Sequence, residues 1–283
     1  MSTQLINDEM TLSDVVKSYP QAIPYLNDLH LDYCCGGHDR ISVTAKNKGL
    51  DLEKLLGNLN DLAAAEQTTN TDRAQDIERF EALSVSDMTT DLEQTHHVTE
   101  RKMMNDVEQS LNKILIAHYP HHGKELTELH HDYALLKADL EEHFAKEERL
   151  VFPLIRGNEK SDEATIALVK SLEDEHTHAG DLIKKIQKET DNFTLPSDAC
   201  NTYAYTFRNM KALFEDIFIH IFKENSVLFP EYYEKADPTL TKDPSDKFVL
   251  KDGSHATAFD TEEDYLDAQE DHAEELFHDH LVR

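Results

Sequence analysis

The chain is 283 residues long, carries a formal net charge of −29 with its histidines neutral, and contains only eight Gly and eight Pro. That length allows one large or two modest domains. The charge argues against a nucleic-acid backbone or an anionic membrane as partner, and no run approaches the ~20 apolar residues of a membrane helix. Three Cys, two of them adjacent, do not make a disulfide framework. The opening MSTQLINDEM has neither a basic region nor an apolar core, so no signal peptide is visible and a cytoplasmic protein is expected.

In chain order, residues 1–65 read as a small helical domain. It has amphipathic segments around residues 12–26, a turn-like DYCCGG at 32–37 and a helix near 50–62. This is little chain for an independent core. Residues 66–78 are polar and read as a linker. Four long helical patterns follow at 86–118, 124–157, 162–190 and 198–234, with apolar residues three and four apart and a helix-favouring composition. They make residues 79–234 an up-down four-helix bundle, the third and fourth helices joined by DNFTLPSD with Ser197 as the expected N-cap. Residues 235–283 form an acidic extension with one amphipathic helix carrying Tyr265, Leu266, Ala273, Leu276, Phe277 and Leu281. The expected fold is all-α.

An eleven-residue pattern occurs twice, as HFAKEERLVFP at 143–153 and HIFKENSVLFP at 220–230. Each copy sets a Glu four residues after a His, His143/Glu147 and His220/Glu224, which places both side chains on one helix face. A lone His precedes each pair, His97 by 46 residues and His176 by 44. Four imidazoles and two carboxylates suit an intermediate metal such as iron, manganese or zinc. Six donors exceed one four-coordinate zinc but fit two metals bridged by the carboxylates.

In an antiparallel bundle, ligands on neighbouring helices lie equally far from their shared connection. His97 and the His143/Glu147 pair meet this test, and the second and third helices match within about a turn. The third and fourth match poorly, about 14 residues against 22, so one boundary is misplaced or one helix overhangs. His118 lies 21 residues after His97, about 31 Å further along the helix, and is excluded. His121, His122, His130 and His131 cluster near the same helix end and read as solvated.

The chain resembles the di-iron proteins that repair iron–sulfur clusters, the repair-of-iron-centres family. These join a short domain bearing DYCCGG to a hemerythrin-like four-helix bundle. The resemblance rests on LHLDYCCGGHDRI, THHVTERKMM, EEHFAKEERLVFP, EDEHTHAGDLI and IHIFKENSVLFP, and covers about residues 8–234. It implies His97, His143, Glu147, His176, His220 and Glu224 as ligands of two non-haem irons bridged by oxo or hydroxo groups and by carboxylates. Tandem His96–His97 leaves a one-residue choice, taken as His97 on the motif. Oxygen-carrying hemerythrins have a second His one turn after the third-helix ligand. Gly180 stands there in this chain, which points to more open coordination.

Asp139 and Glu175 are near enough in sequence to orient the ligand rings. Cys34 and Cys35 offer redox or metal-transfer thiols, or else a compact buried turn, without a mutual disulfide. Cys200 reads as structural. By resemblance the partners are damaged iron–sulfur proteins, with dimerisation through the N-terminal domain, and the activity is cluster repair or protection under nitric oxide or oxidant stress. Two alternatives stay open at this stage: a hemerythrin-type oxygen or nitric oxide binder or sensor, and a di-iron nitric oxide reductase.

Overall fold

Thr11 starts the first helix. Its hydroxyl accepts the Asp14 amide at 3.0 Å while Asp14 accepts the Thr11 amide at 3.1 Å, so two otherwise orphaned donors are met reciprocally. In this computed structural model, which describes residues 5–64, 71–157, 163–236, 248–252 and 255–259, that helix is α1 (Leu12–Ser18). A tight turn at Pro20–Ala22 leads to α2 (Ile23–Asp28), α3 (Ile41–Lys48) and α4 (Leu52–Ala64). Between α2 and α3 the DYCCGG segment wraps around one carboxylate oxygen. Asp32 Oδ1 accepts the amides of Cys34, Cys35 and Gly36 at 3.3, 2.9 and 3.1 Å. At Gly37 a Cβ would lie 2.3 Å from the Tyr33 carbonyl oxygen, so the turn closes only without a side chain there.

The segment expected as a linker is helical from Thr71. Helix α5 (Thr71–Glu81) buries Ile77 and Phe80, an apolar stripe at three-residue spacing that the polar composition masks. Ser84 then caps α6 (Val85–Leu92), accepting the Asp87 amide at 3.1 Å. Helix α7 (Val98–Lys146) contains two bundle helices, broken at His122 (φ −126°, ψ 18°) two residues after Pro120. The remaining helices are α8 (Phe152–Gly157), α9 (Glu163–Glu189), α10 (Asn201–Lys223) and α11 (Phe229–Ala236). Wide π turns at Glu93–His97, Glu147–Val151 and Glu224–Leu228 join α6 to α7, α7 to α8 and α10 to α11. The result is an all-α bundle of four rods over 85–121, 123–157, 163–189 and 201–236.

Ser197 does not cap the fourth rod. The helix begins at Asn201 with Cys200 in the capping position, and Asp198 turns its carboxylate to His122 Nε2 at 2.9 Å. The fourth rod overhangs the third, one of the two outcomes the uneven ligand levels left open, and its start is also displaced from 198 to 201. The third stops at Glu189, and Asp191, Asn192 and Phe193 take left-handed backbone angles. The Phe193 ring then packs 5.7 Å from Phe207 and 5.8 Å from Phe214, well inside the fourth rod.

Two apolar clusters flank the middle of the bundle. One joins Phe80, Val85, Met88, Leu92, Phe152 and Phe229 at the end where the wide turns lie. The other runs without a break from Ile6, Leu12, Val15 and Ile23 of the N-terminal segment into Leu111, Leu136, Phe144 and Phe214 of the bundle. Tyr33 makes that junction, edge-on to Phe218 and Phe222. Short segments N-terminal to the bundle thus complete their core against it.

Beyond the bundle, β1 (Phe248–Asp252) pairs antiparallel with β2 (His255–Phe259), Phe248 opposite Phe259, where no strand was expected. The amphipathic segment expected at 262–281 lies outside the described residues. Among the described residues no helix is long and apolar enough to cross a membrane.

Candidate metal centre

Each wide turn carries an expected donor. His97 ends the first, Glu147 begins the second and Glu224 begins the third. Such one-turn widenings cost helical hydrogen-bond quality and recur at functional sites. His143 and His220 sit one turn upstream of the two Glu, and His176 comes from the middle of α9. The six side chains meet between the two apolar clusters, and all are buried, Glu147, Glu224 and His97 at 0% exposure.

They form two overlapping groups. One contains His143, Glu147, His176 and Glu224, the other His97, Glu147 and His220. His143 Nε2 and His176 Nε2 lie 3.0 Å apart, and His176 Nε2 is 3.1 Å from Glu224 Oε2. His97 Nε2 is 3.2 Å from Glu147 Oε2, and His143 Nε2 is 3.3 Å from Glu147 Oε1. Two metal–donor bonds of about 2.1 Å at a right angle put donor atoms ~3.0 Å apart. The observed spacings are those of atoms converging on common ions. Despite these approaches, His97 Nε2, His220 Nε2 and all four oxygens of Glu147 and Glu224 have no hydrogen-bond partner among the described residues. Six such buried orphans are costly unless a cation satisfies them.

The outer nitrogens are all held. His97 Nδ1 faces Glu148 at 2.9 Å, His143 Nδ1 faces Glu175 at 2.7 Å, and His220 Nδ1 faces Glu100 at 3.1 Å. His176 Nδ1 faces Asn225 Oδ1 at 2.8 Å. With each Nδ1 proton so engaged, each Nε2 lone pair is turned toward the centre. The two halves obey one rule: the residue after each shared Glu, Glu148 or Asn225, reaches back to the lone His of its own half. Glu175 fulfils the orienting role expected of it. Asp139 does not, pairing with His178 at 3.5 Å instead.

Sequence reasoning missed Glu100, Glu148 and Asn225. The last two stand at equivalent places in the repeat, a signal that was present, whereas Glu100 meets His220 across 120 residues. The tandem histidines part in space. His97 turns to Glu147, while His96 stacks 5.1 Å from His220 and bonds outward to Asp216 at 3.0 Å and to the buried Lys223 at 3.0 Å. His118 lies against Cys200 Sγ at 3.3 Å, and His130 meets Asn112. Neither belongs to the centre.

Without a cation the cluster is strongly polarised. Burial alone would depress His143, yet the carboxylates of Glu147 and Glu175 lift its pKa to about 10. His220 is raised well above its usual range against the same burial, by Glu100 and Glu224. Burial would raise Glu224, but His220 and His176 hold it well below its usual range. A cavity of about 320 Å³ leads from this cluster outward, with His143, His176, His220 and Glu224 at its buried end. The exposed Glu142, Asp174 and His178 line its outer part, with half-buried Asp139 and Glu175.

The N-terminal thiols lie against the same cluster. Cys35 Sγ is 3.4 Å from the His176 carbonyl oxygen, and Asn225 Nδ2 donates to the Cys34 carbonyl at 3.1 Å. Both Cys are reduced, their sulfurs 3.6 Å apart. Burial first, then Cys35 and Asp32, hold the Cys34 thiol well above the ordinary range. Lys184 anchors the turn through Asp32 at 2.8 Å.

Compared with known proteins, residues 8–63 match the ScdA_N domain, described as a domain of unknown function, and residues 87–232 match the hemerythrin HHE cation binding domain. The chain is 29% identical over 224 residues to the iron-sulfur cluster repair protein YtfE of Escherichia coli O8 (strain IAI1), covering 78% of this chain and 96% of that protein. It is 28% identical over 228 residues to YtfE of Enterobacter sp. (strain 638), with 78% and 96% covered. YtfE of Musicola paradisiaca (strain Ech703) is 28% identical over 226 residues, with 78% and 95% covered. The HHE match spans more than half of the chain and encloses every member of the duplicated donor set, and this chain belongs to the hemerythrin HHE cation-binding family.

Proposed function

We propose that this chain is a di-iron protein that repairs or protects iron–sulfur clusters damaged by nitrosative or oxidative stress. His143 and His176 would hold one iron and His97 and His220 the other, with Glu147 and Glu224 between them. The observation that carries this reading is the pair of donor groups sharing Glu147, whose buried inward atoms lack any other partner. Two irons bound there supply releasable iron and a redox-active centre that nitric oxide can reach. The protein's own part is to hold four imidazoles aimed, to supply two carboxylates against the metal charge, and to leave a solvent-connected cavity at one side.

The names of the YtfE relatives support the clients, damaged iron–sulfur proteins. The reading includes a cytoplasmic setting and a division into an N-terminal domain, the bundle and an acidic extension. It also includes a homodimer through the N-terminal domain, where Leu5 and Val43 are exposed; sedimentation equilibrium tests that last element. Gly180 and the open cavity count against simple oxygen storage.

Iron quantification on anaerobically purified protein tests the assignment. About two irons per chain are expected, lost or halved in His143→Ala and Glu224→Ala. Damaged clusters restored equally well in cells by those variants would overturn the metal-based function.

A further inference from the structure

The four ligand rings are not held alike. His97, His143 and His220 each present Nδ1 to a carboxylate, from Glu148, Glu175 and Glu100. A carboxylate partner raises the basicity of the ring as a ligand. His176 alone has a neutral partner, the side-chain amide of Asn225. An amide has one accepting and one donating end, and which way it points is set by its second bond. Here that bond is to the N-terminal segment, since Asn225 Nδ2 donates to the Cys34 carbonyl at 3.1 Å. The Cys34 carbonyl therefore turns Asn225 Oδ1 toward His176, keeps the His176 proton on Nδ1 and leaves Nε2 bare toward the centre.

A second contact comes from the same turn. Cys35 Sγ lies 3.4 Å from the backbone carbonyl of His176 itself. It occupies the space one helical turn on, where Gly180 has no side chain; a Cβ at Gly180 would sit 3.4 Å from that sulfur. The space one turn after His176 is thus bordered by a thiol of the N-terminal segment. The cavity, moreover, reaches both His143 and His176 at its inner end, but of the other pair only His220; His97 is stacked 4.5 Å from Phe144 and 6.0 Å from Phe152.

We propose that the dicysteine turn positions His176 through Asn225, and that the iron between His143 and His176 is for this reason the exchangeable one. It is retained while the N-terminal segment is docked and leaves first when that segment lifts. The iron between His97 and His220, whose rings are held only by bundle carboxylates, is the retained one. Asn225 is then a positioning residue rather than a ligand. This deepens the di-iron reading above and rests on it.

The test uses the full chain loaded anaerobically with iron, its stoichiometry measured first, then mixed with excess of a bipyridine-type ferrous chelator. The wild-type chain is expected to release iron in two phases of one equivalent each. Asn225→Ala is expected to speed the fast phase on the order of tenfold or more, with the slow phase within about twofold of wild type. Asp32→Ala, which removes the acceptor that shapes the turn and touches no ligand, is expected to do the same should Asn225→Ala fold poorly. Glu148→Gln is expected to speed the slow phase instead. A single wild-type phase releasing both irons, or equal acceleration of both phases in Asn225→Ala and Asp32→Ala, overturns the proposal. A starting stoichiometry below two overturns the di-iron reading itself, and the inference with it, before any chelator is added.

Discussion

His143 and His220 are raised above their usual range by carboxylates that outweigh their burial, His143 to about 10. Metal-free, His143 is protonated at pH 7, while a metal ion takes only the neutral ring. Iron binding at neutral pH must therefore expel protons, and affinity rises with pH until the rings deprotonate unaided. The stability of the metal-free chain follows the opposite course. The part contributed by these two groups is complete below the unfolded histidine value of about 6.5 and is lost as pH rises through the raised values. Calorimetric titration in buffers of different ionisation enthalpy should show proton release at pH 7; a buffer-independent heat would contradict it. Cys200, expected to be structural, is in fact exposed. The His118 imidazole, with amides of the following helix turn, lowers its pKa to about 7. Alkylation followed by intact mass should find Cys200 modified fastest with a midpoint near pH 7, and buried Cys34 slowest. Four of the six inward donors were legible because each His–Glu pair is local, four residues apart on one helix, and His97 and His176 because they precede the two copies by nearly equal distances. Their outer partners were not, because Glu100 and Glu148 are chosen by helix packing across 120 and 51 residues.

At the scale of elements, the four rods follow from apolar spacing within a few residues at each end. Helix α5 was hidden by a polar composition that its three-residue apolar stripe overrode. Ser197 looked like a cap because of its residue type. The left-handed residues 191–193 fold the connection onto the fourth rod before the helix begins, which moves the cap to Cys200. That connection depends on Phe193, a partly buried ring lying on Phe207 and Phe214. Phe193→Ala should destabilise the metal-free chain by about 2 kcal/mol, less than the ~3–5 kcal/mol of a fully buried ring. Urea denaturation checks this, and a midpoint equal to wild type would mean the ring adds nothing to the turn. The π turns at three of the donor-bearing junctions were not legible at all, since a widening of one residue leaves no mark in composition.

Across the whole molecule, one apolar cluster joins the N-terminal segment to the bundle through Tyr33. Fluorescence from its tyrosines and far-ultraviolet circular dichroism should therefore report one coincident unfolding transition, with no earlier loss of the first sixty residues. Two separated transitions would show that the junction is weaker than its burial implies. The hydrogen bonds of that junction, from Asn225 to Cys34 and from Ser13 to Ser226, span 191 and 213 residues, a range at which no sequence pattern operates. The arrangement of donors has one further consequence. Each cation position draws one imidazole from the hairpin of rods one and two, and one from the hairpin of rods three and four. A slide of one hairpin past the other by a single helical turn, about 5.4 Å, would dismantle both positions together. The pair of ions proposed for these positions would thus work as a pin through two sliding bars, fixing the register in which the duplicated halves of the bundle meet.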